Sequence, residues 1–194
     1  MNKLLKNALV AASILLLGTG AAQAQTTQFG VQGTISFPQS DLGTLVNNNA
    51  GAGVGINARV DLGKGNSIVP RLDYTRYSNT TDGVDVTADV TYVGVDYNYY
   101  FSQKCGVGPY VGLGAGFASV HIDASDAWDS LSVNGSAPYY DFNAGYAFTR
   151  HSSVEVRLIK ATISNFTGNF DGYSAYSTEN FSGQTLDVSY IYRF

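Results

Sequence analysis

From residue 28 onward, apolar and polar residues alternate along the chain in short runs. Phe29, Val31, Ile35 and Phe37 alternate with Gln28, Gln32, Thr34 and Ser36. Ala52, Val54, Ile56, Ala58, Val60 and Leu62 alternate with Gly53, Gly55, Asn57, Arg59 and Asp61. The same period of two returns in Ile68–Thr75, in Val93–Phe101, in Val107–Ala118, in Tyr139–Phe148, in Val154–Leu158 and in Leu186–Phe194. A period of two predicts β-strands with one face in an apolar medium and the other in a polar one. Eight strands are predicted. Ile191 is out of phase in the last, the seventh loses phase near Ile159-Lys160, and Pro70 predicts a bulge or a strand start in the third.

The connections carry a second pattern. Gly63-Lys64-Gly65-Asn66, Ser102-Gln103-Lys104-Cys105-Gly106 and Thr149-Arg150-His151-Ser152-Ser153 are short turns after the second, fourth and sixth strands. Pro38–Ala50, Ser78–Asp85, His121–Ala137 and Asn165–Gly183 read as polar or long loops after the others. In an up-and-down barrel this alternation gathers every short turn at one end and every long loop at the other, as in membrane-spanning barrels.

Alternation alone does not say which face looks inward. Aromatics gather at the short-turn ends of strands (Tyr97, Tyr99, Phe101, Tyr146, Phe148, Tyr192, Phe194), as in a girdle at a membrane interface. The polar face is rich in glycine, which makes room in a narrow interior. It also carries both signs of charge: Arg59, Asp61, Arg71, Asp73, Asp96, Asp141, Glu155, Arg157, Asp187 and Arg193. Enclosed, these must pair and hydrogen-bond as an interior polar network. The apolar face is therefore expected outward, in lipid; a soluble secreted ligand-binding barrel would turn it inward.

Met1-Asn2-Lys3-Leu4-Leu5-Lys6, the apolar run Ala8–Leu17 and Ala22-Gln23-Ala24 have the form of a secretory signal peptide cut after Ala24. The expected domains are thus residues 1–24, the export signal, and 25–194, one barrel domain. Loss of Lys3 and Lys6 leaves nine Lys and Arg against 15 Asp and Glu, a net charge of −6. That acidic balance points away from nucleic acid. The single Cys105 excludes an internal disulfide.

The last strand, with Tyr190, Tyr192 and a terminal Phe194, resembles the β-signal of bacterial outer-membrane proteins. The whole exported chain resembles the small outer-membrane barrels of the OmpA/OmpX kind, within the wider porin-like outer-membrane β-barrel group. The resemblance implies a bacterial outer-membrane location, surrounding lipid and the barrel-assembly machinery as partners, and a monomer; with the last strand at residue 194, no peptidoglycan-binding domain is expected to follow. Eight strands enclose an interior that side chains can fill, so no wide channel is expected.

Little in the chain suggests catalysis. His121 has Ser119 and Asp123 on the same strand face, but about 7 Å between i and i+2 opposes a hydrogen-bonded triad. His151 sits in a short turn. No enzyme activity, cofactor or metal is expected; Asp123, Asp126 and Asp129 lack the spacing of a calcium loop. The long loops hold Asp41, Asp82, Asp85, Asp171 and Glu179 and no Lys or Arg. Phe166, Phe170, Tyr173, Tyr176 and Phe181, set among Ser, Gly and Asn, suit recognition of an external ligand. The function expected is an envelope-structural or surface-interaction role. The alternatives are narrow porin-like transport and lipid A modification.

Overall fold

The structure is a computed structural model, and it describes residues 26–81, 84–125, 130–163, 166–170, 173–177 and 181–194. Its strands are β1 (Thr27–Gln39), β2 (Gly51–Gly63), β3 (Asn66–Thr81), β4 (Val84–Tyr100), β5 (Gly108–Ser125), β6 (Ser130–Ala147), β7 (Ser152–Ile163), β8 (Phe166–Phe170), β9 (Tyr173–Ser177) and β10 (Phe181–Arg193), with one short helix, α1 (Ser40–Leu45). Eight of them, β1–β7 and β10, pair with their neighbours in antiparallel ladders, and β1 closes on β10 through Gly30↔Arg193 to Gln39↔Gln184. The result is a closed, all-antiparallel eight-stranded β-barrel. Closure leaves none of the eight barrel strands as a sheet edge. The β8–β9 hairpin branches from the upper part of β6.

The apolar set faces outward, with Leu113 and Phe117 each 66% exposed and Val54, Ile56, Phe142 and Leu158 beside them on the outer wall. The predicted girdle of Tyr97, Tyr99, Phe101, Tyr146, Phe148, Tyr192 and Phe194 is exposed at the short-turn end. Tyr190 also points out.

Three predicted loops hold ladders instead; within 165–183 these are β8, β9 and the start of β10. Ser78–Asp85 continues β3 against β4 through Asn79↔Val86 and Thr80↔Asp85. His121–Ala137 continues β5 against β6 through His121↔Asn134 and Ile122↔Val133. Polarity changes sides along these strands. On β5, Leu113, Ala115 and Phe117 point out, whereas Val120 is buried inside and Ile122 half-buried. On β4, Ala88, Val90 and Tyr92 point in, whereas Tyr97 and Tyr99 point out. On β7, Val156 and Leu158 point out, then Ile159 and Ala161 point in while Lys160 is exposed. A strand that leaves hydrocarbon for water must exchange its faces, because the outside turns polar and the inside becomes the only apolar refuge. The phase break at Ile159-Lys160 is that exchange, and β7 runs through it without interruption.

Pro70 also departs from expectation. It neither starts nor bulges β3, which keeps register with β4 through Pro70↔Val95. On the β2 side the register is the same at Asn57↔Arg71 and Val60↔Ile68, with no pairing recorded between them. The missing proline N–H is absorbed as a gap in one ladder. The Pro38–Ala50 stretch holds α1, whose Leu42 is buried, as is Val46 just after it.

A charge at the middle of the outer wall meets lipid. Leu113→Arg is expected to destabilise the barrel by about 2–4 kcal/mol in vesicles, against about 1 or less for the same change near an interface. A urea titration of the refolded protein checks this; an unchanged midpoint would place Leu113 outside the lipid.

Candidate functional site

The lumen is filled in three layers. At the hairpin end Leu42 and Val46 pack with Tyr77, Val90, Tyr92, Val120, Tyr139 and Ile159, and Leu45 and Ile122 lie against them. Tyr92 and Tyr139 meet edge to face with centroids 5.3 Å apart. Helix α1 thus closes the barrel mouth with apolar side chains supplied by its own first long connection.

The middle layer is ionic. Arg71 reaches Asp96 at 2.6 Å, Glu155 at 3.0 Å and Asp73 at 4.0 Å. Arg157 reaches Asp73 at 2.9 Å and Asp187 at 4.0 Å. Neutral groups add to it: Tyr110 donates to Glu155 at 2.9 Å, Asn143 donates to Asp96 at 3.3 Å, and Ser36 donates to Asp187. Asp141 makes no ion pair among the described residues, and its two carboxyl oxygens are buried without a hydrogen-bond partner there. A Cβ on Gly114 would collide with both Asp96 and Asp141, so glycine there lets the two carboxyl groups reach across β5.

At the short-turn end Tyr100 and Tyr110 stack with centroids 4.8 Å apart, beside Cys105 and Ala147. The Arg59 guanidinium lies over the Tyr100 ring at 5.7 Å and donates to Gln28. Arg193 is buried and donates to Ser153 at 3.1 Å. Burial pushes the Cys105 thiol up to about 12, so it stays protonated.

Of the ten charged residues predicted inside, Arg71, Asp73, Asp96, Asp141, Glu155, Arg157 and Asp187 share the middle layer, and Arg59 and Arg193 lie below it. Asp61 keeps the ladder register through Asp61↔Ser67 and lies half-buried at the short-turn end of the lumen, where it accepts from the Gly63 N–H at 2.8 Å. Sequence reasoning missed the apolar layer. The residues that signal it, Leu42, Leu45 and Val46, lie in a stretch that otherwise reads as polar.

Outside the barrel, at the hairpin end, Arg76, Asp89, His121 and Asn134 stand opposite one another across β3 to β6. Arg76 holds Asp89 by two contacts of 2.7 Å, and Tyr74 donates to Asp89 at 2.8 Å. The His121 ring leans along its strand, so Nε2 lies 3.0 Å from Asp123 despite the backbone spacing. Its Nδ1 lies 2.7 Å from Asn134 Oδ1. Both ring nitrogens are engaged, and neither faces Ser119, so the three residues do not form a nucleophile relay. His151 Nδ1 lies 2.7 Å from the Arg193 carbonyl oxygen. The backbones of Phe166, Phe170, Tyr173, Tyr176 and Phe181 fall on β8, β9 and β10, but their side chains lie outside the described residues, as do Asp82, Asp126, Asp129, Asp171, Glu179 and residues 1–25.

A closed barrel with an apolar outer wall, an aromatic girdle and an ion-paired lumen defines an outer-membrane type of β-barrel protein. The chain belongs to the outer membrane protein beta-barrel domain family, whose model matches residues 9–194. Among solved structures it is similar to the N-terminal β-barrel domain of Pseudomonas aeruginosa OprF, at 14% identity, TM-score 0.58, covering 88% of this chain and 99% of that one. It is also similar to Ail, the attachment invasion locus protein of Yersinia pestis, at 10% identity and TM-score 0.60, covering 87% and 97%. Neisserial surface protein A gives 15% identity and TM-score 0.54, covering 89% and 100%. At these identities the likeness is one of fold. No curated protein matches the sequence.

Removing Arg71 from the middle layer leaves Asp96 and Glu155 buried with neutral hydrogen-bond donors but without their cation. Arg71→Ala is expected to cost about 3–5 kcal/mol, whereas Arg76→Ala, at an exposed pair, leaves the urea midpoint near that of the parent. Equal midpoints for the two variants would mean that the lumen is solvated.

Proposed function

We propose that the protein is a non-enzymatic, monomeric barrel of the bacterial outer membrane, exported by residues 1–24, with an envelope-structural or surface-interaction role. Its short turns face the periplasm and its tall hairpins the outside, following the general rule for such barrels. Outer-membrane lipid surrounds it, and the assembly machinery reads its last strand, on which Tyr190, Tyr192 and Phe194 point outward.

The observation that carries this reading is the seal in the lumen. Leu42 and Val46 are buried in the upper apolar layer, and below it Arg71 and Arg157 tie strands from opposite sides of the barrel into one ionic layer. A solute path would have to dismantle both. The engaged ring of His121 weighs against a lipid A hydrolase. What remains is the surface. Above the lipid, β3 to β6 present the mixed-charge row Arg76, Asp89, His121 and Asn134. A wall of hydrogen-bonded strand holds such a row in one geometry and suits it to contact with another surface. Strands β8 and β9, which carry Phe166, Phe170, Tyr173 and Tyr176, pair at the same end of the barrel and would extend the contact.

Incorporated into planar bilayers, the refolded protein is expected to give no stepwise current. Regular steps in the unaltered protein would overturn the sealed lumen and favour narrow porin-like transport.

A further inference from the structure

The charges of this chain are segregated along the barrel axis. Nine Lys and Arg follow residue 24. Four of them, Arg59, Lys64, Lys104 and Arg150, line a single cavity of about 250 Å³ at the short-turn end. Asp61 is the one acid in its lining, and its Oδ1 is committed to the Gly63 N–H. A chain that is acidic as a whole therefore surrounds one small space with four cations.

The innermost of these cations lacks a counter-charge. Arg59 is 3% exposed and makes no ion pair among the described residues. Its contacts are to neutral groups: the Gln28 side chain, the Tyr100 hydroxyl at 3.4 Å and the Arg150 carbonyl at 3.5 Å. A Cβ on Gly106 would collide with the guanidinium, so the turn closes directly over it. Arg193, 1% exposed, has Nε and Nη2 without partners, and the two guanidiniums repel each other. Buried cations in this state call for an anion. The middle layer does not supply one, because Glu155 is already bound by Arg71 and Tyr110.

We propose that this cavity binds a phosphate group. Arg59 forms its floor, and Lys64, Lys104 and Arg150 close around it from the three short turns. Guanidinium forks and ammonium groups converging from several sides suit a tetrahedral, multiply charged oxyanion. The cavity lies level with the exposed Phe101, Phe148 and Phe194, at the height where inner-leaflet headgroups meet water. The phosphate can therefore come from an anionic phospholipid headgroup or from the free anion. This site lies at the opposite end of the barrel from the surface-interaction reading and does not depend on it.

The test has two arms on the refolded full-length exported chain. In a neutral maltoside detergent, inorganic phosphate and pyrophosphate are titrated by calorimetry at low ionic strength. In nanodiscs of phosphatidylcholine with or without phosphatidylglycerol, co-purifying lipid is read by native mass spectrometry. Saturable binding of the free anions assigns the free source; selective retention of phosphatidylglycerol, displaced by added phosphate, assigns the headgroup. In either case the double variant Lys104→Gln/Arg150→Gln, altered only on exposed turns, is expected to weaken binding by about tenfold or more. Lys160→Gln, on the outer wall toward the hairpin end, is expected to leave it unchanged. Absence of binding in both arms, or binding that the double variant leaves intact, would overturn the proposal.

Discussion

Hydrocarbon offers no hydrogen bonds, so every backbone N–H and C=O that crosses it must find a partner within the protein. The pairing of β1 with β10 meets that condition, and the rest of the molecule depends on it. With the barrel closed, side chains divide strictly between lipid and lumen. The lipid face takes Val, Ile, Leu, Phe and Tyr. Every charge on a spanning strand must then turn inward, and the lumen of eight strands is too narrow to leave those charges in bulk water.

Inside, the arrangement follows from the cost of isolated buried charge. Arg71 and Arg157 each touch carboxylates from more than one strand, and they bridge β3 to β4, β7 and β10 across the lumen. The ionic layer is capped by apolar side chains above and by the stacked Tyr100 and Tyr110 below. Such a layer fixes strand register from within, since a slip of one residue would point every paired charge into lipid. Glycines on the luminal face of β5 give the carboxyl groups the space to meet.

The barrel was legible in the sequence because its signal is periodic and its turns are short. A period of two separated the faces, and the aromatic girdle, the luminal glycines and the mixed charges of the polar face told which one looks outward. What escaped was whatever departs from a single period. The tall hairpins looked like loops because their alternation changes phase on leaving the membrane: Phe117 points out and Val120 in, Leu158 out and Ile159 in. Ile191 looked like an exception within β10 because it packs inside, fully buried, at the short-turn end. Helix α1 was hidden because six residues are too few to show helical periodicity, and the three apolar residues that seat it sit among Asp, Gly, Thr and Asn. The phase change itself is present in the sequence, and it marks where each strand leaves the lipid.

The central claim is a closed barrel with lipid outside and a sealed, ion-paired interior. The most direct test is gel mobility of the refolded protein in SDS, boiled against unboiled. A closed hydrogen-bonded barrel resists SDS until heated, so the account predicts two distinct mobilities, the unboiled form running as the compact species. A single mobility, from a protein that stays in solution without detergent, would contradict it and turn the apolar face inward.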